Sequence, residues 1–168
     1  MIIGYPQNAG MTTRLLRVAA YAVCTRGDDV LMARYLPPVG GPYWTLPGGK
    51  VEHAEDPYRA VIREVAEETG YQVRVERLLG VDSRVRLTVW GRPDTEQHSI
   101  GVFYRVKITG GELSNEVDGS TDLAQWIPRA EIHKLERAQL VDTALELDRL
   151  EPVTGHVEGR PDSALLHR

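Results

Sequence analysis

One cysteine, Cys24, occurs in the 168 residues, so no disulfide can form within the chain and a reducing compartment such as the cytoplasm is its natural setting. Cys24 closes the apolar run 18–23, which points to burial rather than to a catalytic thiol. No apolar stretch approaches the ~20 residues of a membrane-spanning helix, and residues 1–14 lack the apolar centre of a signal peptide. The expectation is a soluble, unexported protein with no membrane partner. An excess of basic charge is also missing. Lys and Arg total 20 against 24 Asp and Glu, a net charge of -4, which argues against a nucleic-acid binder held by a cationic surface. Any phosphate ligand must be held locally. Repeats and low-complexity segments are absent too, while 42% hydrophobic and 26% charged residues suit one packed domain.

The chain punctuates itself into short elements. Residues 1–13 and 151–168 mix Gly, Pro and polar residues without periodicity and read as tails, leaving one domain over 14–150. Within it, runs 16–24 and 30–35 flank Gly27-Asp28-Asp29 as a β-hairpin does, and a Pro/Gly-rich loop covers 36–42. Alternation marks half-buried strands over 71–75 and 85–89 and a longer one over 100–108, ended by Gly110-Gly111. Pro128 can open a helical turn, and Leu140, Ala144, Leu145 and Leu147 form a helical stripe reaching Arg149. Strands and helices mix without regular alternation, which favours an α+β fold.

Residues 48–71 read GGKVEHAEDPYRAVIREVAEETGY, and local signals there specify a helix. Asp56 can cap it, Pro57 suits its first position, and Gly70 can close it in the left-handed region. The spacing predicts a helix over Pro57–Thr69, some 20 Å long at about 1.5 Å per residue. Val61, Ile62, Val65, Ala66 and Thr69 supply the expected buried stripe, while Glu64, Glu67 and Glu68 fall within an arc of roughly 100° on another face. Like charges three and four apart cost ~0.2–0.5 kcal/mol per pair, and the helix dipole disfavours anions in the last turn. One guanidinium, Arg63, cannot balance three carboxylates. Either the face is simply solvated, or a divalent cation with a taste for oxygen ligands sits among them.

The preceding Pro47-Gly48-Gly49 and the joint spacing add to this. Gly49, five residues, Glu55, seven residues, then Arg63-Glu64-Val65-Ala66-Glu67-Glu68-Thr69-Gly70-Tyr71 resembles the Nudix box at every fixed position. Its seven identities would match by chance on the order of once in 10⁶ such chains or less. Tyr71 replaces the usual aliphatic residue, and Ala54 stands where many members have Gly. The resemblance implies an α/β/α sandwich around a mixed β-sheet, with Glu64, Glu67, Glu68 and the Gly48 carbonyl holding Mg²⁺ or Mn²⁺. It makes Glu55 and Arg63 organisers of those ligands.

The implied activity is hydrolysis of a pyrophosphate bond in a nucleoside diphosphate linked to another group, a nucleotide being the small-molecule partner. Family members differ in the general base: Glu64 is one candidate, and among the later carboxylates Glu112, Glu116 and Asp118 the preferred one is Glu116. Arg34 is a candidate phosphate contact because a guanidinium matches phosphate bidentately; a solvated strand end is the alternative. Tyr43 could stack on a base, whereas Trp44 reads as core. His98 and His133 lack metal-ligand spacing. The residues 85–88 lack the proline and tyrosine markers that accompany ADP-ribose and diadenosine polyphosphate hydrolysis, which leaves the substrate open among triphosphates, nucleotide sugars and ADP-ribose. Members are often dimers, so a homodimer is an option. The rival reading is a nucleotide sensor with the same fold and no hydrolysis.

Overall fold

The computed structural model describes residues 12–89, 92–158 and 166–167. Its elements run β1 (Thr13–Arg26), β2 (Asp29–Tyr35), β3 (Tyr43–Thr45), β4 (Gly48–Lys50), α1 (Pro57–Thr69), β5 (Tyr71–Val89), β6 (Arg92–Gly111) and β7 (Thr121–Pro128). A 3₁₀ turn (Arg129–Lys134), β8 (Arg137–Ala138), α2 (Gln139–Leu150) and β9 (Leu166–His167) complete the described chain. The strands form a curled mixed sheet in the order β5-β6-β1-β2-β3-β8-β9, with β4 added on β1 and β7 on β2. The long β1–β6 pair is parallel; β5–β6, β1–β2 and β2–β7 are antiparallel.

Period-two alternation divides the core between the two faces of this sheet. Ala19, Tyr21 and Val23 of β1 join Val30, Met32, Phe103 and the α2 residues Val141, Ala144 and Leu147. The intervening Ala20, Ala22 and Cys24 join Leu31, Tyr104 and the α1 residues Ala60, Val61 and Val65. One helix thus covers each face, the layered α+β sandwich expected from the resemblance. Each fully buried Val or Leu contributes about 1.5–3 kcal/mol to holding a layer in place. No described helix is long and apolar enough to cross a membrane.

Helix α1 has the expected bounds because its stop signals are local. The Asp56 carboxylate accepts a hydrogen bond from the Tyr58 N–H at 2.7 Å, Pro57 occupies the first turn, and Gly70 closes the helix at φ 73°. Its buried stripe differs from the expected one. Ala66 is exposed, while Ala60 and Glu68 are buried with Val61, Val65 and Thr69. At about 100° per residue Glu68 lies within roughly 20° of Val61, so it points inward with the core rather than outward with Glu67.

Residues 71–75 and 85–89 belong to a single strand rather than to two. Register shifts at Val75/Arg77 and Leu78/Gly80 insert unpaired residues and reverse which side chains face the core, so the alternation breaks although the pairing with β6 continues. Residues 1–11 of the expected N-terminal tail and 159–165 and 168 of the C-terminal one lie outside the described residues. The stretch 151–158 is docked: Glu151 pairs with Arg105 at 2.6 Å and Arg77 at 2.8 Å, and the Gly155 carbonyl accepts from the Val81 N–H at 3.0 Å.

Candidate active site

Arg63 is the hub of the acidic face of α1. Its Nε and Nη2 clasp both oxygens of Glu55 at 2.9 and 2.8 Å, and its Nη1 reaches Glu64 and Glu67, each at 2.9 Å. Nη2 also donates to the Lys50 carbonyl at 3.2 Å, which ties the helix to the strand before it. Charge-assisted bonds from Arg63 hold the Glu55 carboxyl down at about 2, and the same bonds, Glu55 foremost, push the guanidinium up.

Glu68 has a different environment. It is 3% exposed, and the donor that reaches it is the Gly48 N–H, at 2.8 Å from Oε2. Its other oxygen has no hydrogen-bond donor among the described residues. Burial drives its carboxyl well above the usual range; the Gly48 hydrogen bond opposes this, and the charges of Glu64, Glu116 and Glu67 reinforce it. Glu64 is also raised, chiefly by burial, against the pull of Arg63. Glu116, from the segment before β7, anchors Oε2 on the Thr121 N–H and hydroxyl, both at 2.9 Å, and its charge is felt by Glu64 and Glu68. Glu64 and Glu68 thus lie within reach of the charge of Glu116. Glu112 and Asp118 are exposed.

The two glycines before the helix make room in different ways, Gly48 against backbone and Gly49 against the Glu64 carboxylate. A Cβ on Gly48, at φ 141°, would stand 2.2 Å from the Ala20 carbonyl oxygen, and one on Gly49 would stand 2.6 Å from a Glu64 oxygen. Close approach of β4 to β1 depends on Gly48, and Gly49 leaves the Glu64 carboxylate its present position. The Gly48 N–H, besides the carbonyl that the resemblance singles out, takes part in the site by binding Glu68.

Among the described residues no three His, Cys, Asp or Glu side chains are gathered tightly enough to grip a metal ion as they stand, since Glu64 and Glu67 are drawn to Arg63 and Glu68 to Gly48. The chemistry of the donors nevertheless fits a hard divalent cation. All are carboxylate oxygens, one is buried and half-satisfied, and the local charge is strongly negative.

Glu64, Glu68, Gly48 and Gly49 line a cleft of about 450 Å³, the size of a small-molecule site. Tyr43 lines it as well, with its ring 5.2 Å from that of Tyr35 and its phenol pushed up to about 12 by burial. Arg34 does not. Its fork is held by Asp122, at 2.9 and 2.7 Å, which links β2 and β7. Trp44 packs against the core, Cys24 is 1% exposed with its thiol raised to about 11 by burial, and His98 and His133 are exposed.

The cleft also contains residues not singled out in the sequence. Arg17 and Arg84 lie on one cross-strand row, both paired through Ser99 of β6, and Arg86 sits one row further out opposite Gln97. Arg84 is held by Asp82 at 3.1 Å and by the Thr143 hydroxyl at 2.8 Å. Arg17 and Arg86 both act on the Tyr43 phenol, while Tyr21 feels Arg17 together with Glu68 and Glu64. Tyr21 thus stands between a cationic end and an acidic end. Tyr21, Thr45 and Gln139 line the cleft at 8%, 7% and 6% exposure. A signal for Arg17 existed in the strand alternation, because it shares the parity of Ala19 and Tyr21.

Comparison with known proteins supplies a family. The NUDIX domain model matches residues 15–146. A Caenorhabditis elegans protein named as a nudix hydrolase is 36% identical over 110 residues, covering 64% of this chain and 27% of that one. A MutT-like protein of Streptomyces ambofaciens is 29% identical over 166 residues, 99% of this chain and 97% of its own. The chain spans about a quarter to a third of the length of the first curated relatives it matches. Among solved structures, a NUDIX hydrolase from Nitrosomonas europaea superposes with a TM-score of 0.67 at 23% identity, covering 79% of this chain and 88% of that one, a likeness of fold.

Proposed function

The chain belongs to the Nudix family, and from that premise we propose that it is a Mg²⁺-dependent hydrolase cleaving a pyrophosphate bond in a nucleoside diphosphate linked to another group, with Mn²⁺ as the alternative ion. The observation that carries this reading is Glu68: a carboxylate 3% exposed, one of its oxygens without a donor among the described residues, under the negative charge of Glu64 and Glu116. Such a group, when ionised, costs several kcal/mol unless a cation neutralises it. Glu64, Glu67 and Glu68 would hold the ion. When bound, it supplies charge neutralisation for the phosphates and lowers the pKa of water.

The side chains of the protein then have separable duties. Arg63 orients Glu64 and Glu67 and is itself fixed by Glu55, which makes it a positioning residue. Glu116 takes a proton from the attacking water through Oε1, its Oε2 being engaged by Thr121. Tyr43 borders the cleft where a ring can lie against it. The substrate is a small nucleotide rather than a nucleic-acid chain, and a buried unpaired thiol suits the cytoplasm.

Glu68→Gln tests the reading. The change is nearly isosteric and is expected to lower turnover on the enzyme's best nucleotide by about a hundredfold or more while the fold is kept. Unchanged turnover in that variant would refute the assignment. A nucleotide panel that yields no product, while a nucleotide still raises Tm, would make the protein a sensor.

A further inference from the structure

The end of the cleft away from the acids is not accounted for by hydrolysis. Arg17 of β1, Ser99 of β6 and Arg84 of β5 form one cross-strand row there, with the two arginine Cα atoms about 10 Å apart given ~4.8 Å between strands. Arg86, two residues along β5, adds positive charge to the same wall. Like charges on one face of a sheet repel one another, so the row is costly unless it meets an anion. Asp82 pairs with Arg84, while the nearby Glu96 belongs to the opposite face, where Arg14 holds it at 3.5 Å.

The donors of this row are only partly used. Arg84, its side chain 17% exposed, engages Nε on Asp82 at 3.1 Å and Nη2 on the Thr143 hydroxyl at 2.8 Å, which fixes the guanidinium, while Nη1 has no partner among the described residues. Arg17 makes no hydrogen bond or ion pair with any described residue. The Gln97 amide donates to the Ser99 hydroxyl at 2.9 Å, so that hydroxyl keeps its own proton to give. Three adjacent strands thus each offer a donor group at one point along the sheet. The row also lies well away from the candidate metal ligands. Gly48, whose N–H binds Glu68, pairs with Tyr21, and Arg17 is four residues before Tyr21, about 13 Å along β1 at ~3.3 Å per residue. The row between them, Ala19 paired with Gly101, lines the cleft without bulk. That span exceeds the separation of two phosphates in one anhydride and suits a sugar or nucleoside between two anions.

We propose that Arg17, Ser99 and Arg84 form a second anion site for a phosphate monoester on the substrate, set apart from the scissile pyrophosphate by a sugar or nucleoside, so that the enzyme prefers substrates phosphorylated at this remote position. A phosphate monoester presents three acceptor oxygens, one for each donor group of the row, and guanidinium groups bind it by charge-assisted hydrogen bonds. A planar carboxylate has two oxygens and leaves one donor group without a partner. The inference rests on the cleft being the substrate site of the hydrolase proposed above. It goes beyond that reading by naming a further chemical group on the substrate and the residues that recognise it.

The test uses compounds without a phosphoanhydride, so that turnover does not enter. Adenosine 5′-monophosphate is set against adenosine 2′,5′- and 3′,5′-bisphosphate for the nucleoside half, and ribose 5-phosphate against ribose 1,5-bisphosphate for the linked half. Affinities are measured by calorimetry with Mg²⁺, at low and high KCl, on the full chain and on Arg17→Gln and Arg84→Gln. The wild type is expected to bind at least one bisphosphate about tenfold or more tightly than its monophosphate, by a ratio that shrinks in high KCl. Each variant should cut that ratio by about threefold or more and leave the monophosphate within about twofold of its wild-type affinity.

A structural role for Arg84 would weaken mono- and bisphosphates by one factor and leave their ratio intact; that result, or a wild type without preference, overturns the proposal. If Arg84→Gln fails to fold, Arg17→Gln decides, because Arg17 is exposed and no described residue depends on it for a hydrogen bond. A reduced ratio then supports the site and an unchanged ratio rejects it. Glucuronate 1-phosphate against glucose 1-phosphate is the carboxylate arm, and a gain on this pair alone overturns the assignment to phosphate. Absence of binding by every compound to the wild type overturns it as well. Failure of the hydrolytic reading appears elsewhere, as turnover untouched by Glu68→Gln, and these ratios do not depend on that outcome.

Discussion

Glu55 and Glu68 stand only 13 residues apart in sequence, yet their surroundings are opposite. Glu55 has both oxygens clasped by Arg63 and is held down at about 2, whereas Glu68 is buried with one backbone donor among other acids and is driven upward. The first arrangement is finished within the protein. The second leaves one carboxylate oxygen without a donor among the described residues. A cluster of acids at helical spacing does not by itself distinguish structure from site, but the difference in how completely each member is satisfied does.

The largest break in this comparison comes from removing the unsatisfied charge. Glu68→Gln should cost about a hundredfold or more in kcat, as proposed above, and should raise the Tm of the metal-free protein on the alkaline side, where Glu68 would otherwise have to ionise in its buried position. A metal-free variant that melts below the wild type there would show that Glu68 is already satisfied.

Disturbing the finished side should act indirectly. Arg63→Ala frees Glu55, Glu64 and Glu67 at once and is expected to lower kcat about 10–100-fold, the usual effect of losing an outer partner of metal-ligating groups. Arg63→Lys should recover little of this, because an ammonium cannot make the forked contact with Glu55. Full activity in the lysine variant would remove the positioning role, and steady-state kinetics on both variants decides it.

pH separates the two carboxylates without mutation. Glu55 binds its proton less readily in the folded than in the unfolded chain, so its contribution is present above the ordinary 4.5 and is lost as pH falls toward about 2. Glu68 is raised, so the folded chain holds a proton that the unfolded chain has released, and stability falls as pH rises from the ordinary carboxylate range through the raised value. Metal-free protein should therefore lose Tm on both limbs, and Mg²⁺ should restore the upper limb only. An upper limb indifferent to Mg²⁺ would contradict the assignment.

The smallest effect belongs to Arg34. Its pair with Asp122 is about one-third exposed on each side, so Arg34→Met should change stability by less than about 1 kcal/mol and leave turnover unaltered. A marked rise in KM would return Arg34 to the role of phosphate contact that the sequence suggested.

These contrasts also show what a sequence can reveal. Helix α1 was legible to the residue because Asp56, Pro57 and Gly70 act within a few positions of themselves, and the hairpin of β1 and β2 was legible for the same reason. The burial of Glu68 was available too, in its angular proximity to Val61, but is hidden when the three glutamates are treated as one face. Other features needed distant partners. Arg34 meets Asp122 across 88 positions, and the parallel register of β1 on β6 sets Arg17 in line with Arg84. Gln139 reads locally as an ordinary polar residue ahead of an apolar stripe, yet it lines the cleft together with Thr45, 94 positions earlier.

The central claim, that Glu68 waits for a cation, is tested most directly by titrating metal-free protein with MgCl₂ or MnCl₂ in two buffers of different ionisation enthalpy. Uptake should be accompanied by release of a proton, and both the binding heat and the release should be lost in Glu68→Gln. Absence of metal uptake by the wild type, with or without nucleotide, or uptake identical in the Gln variant, would contradict it.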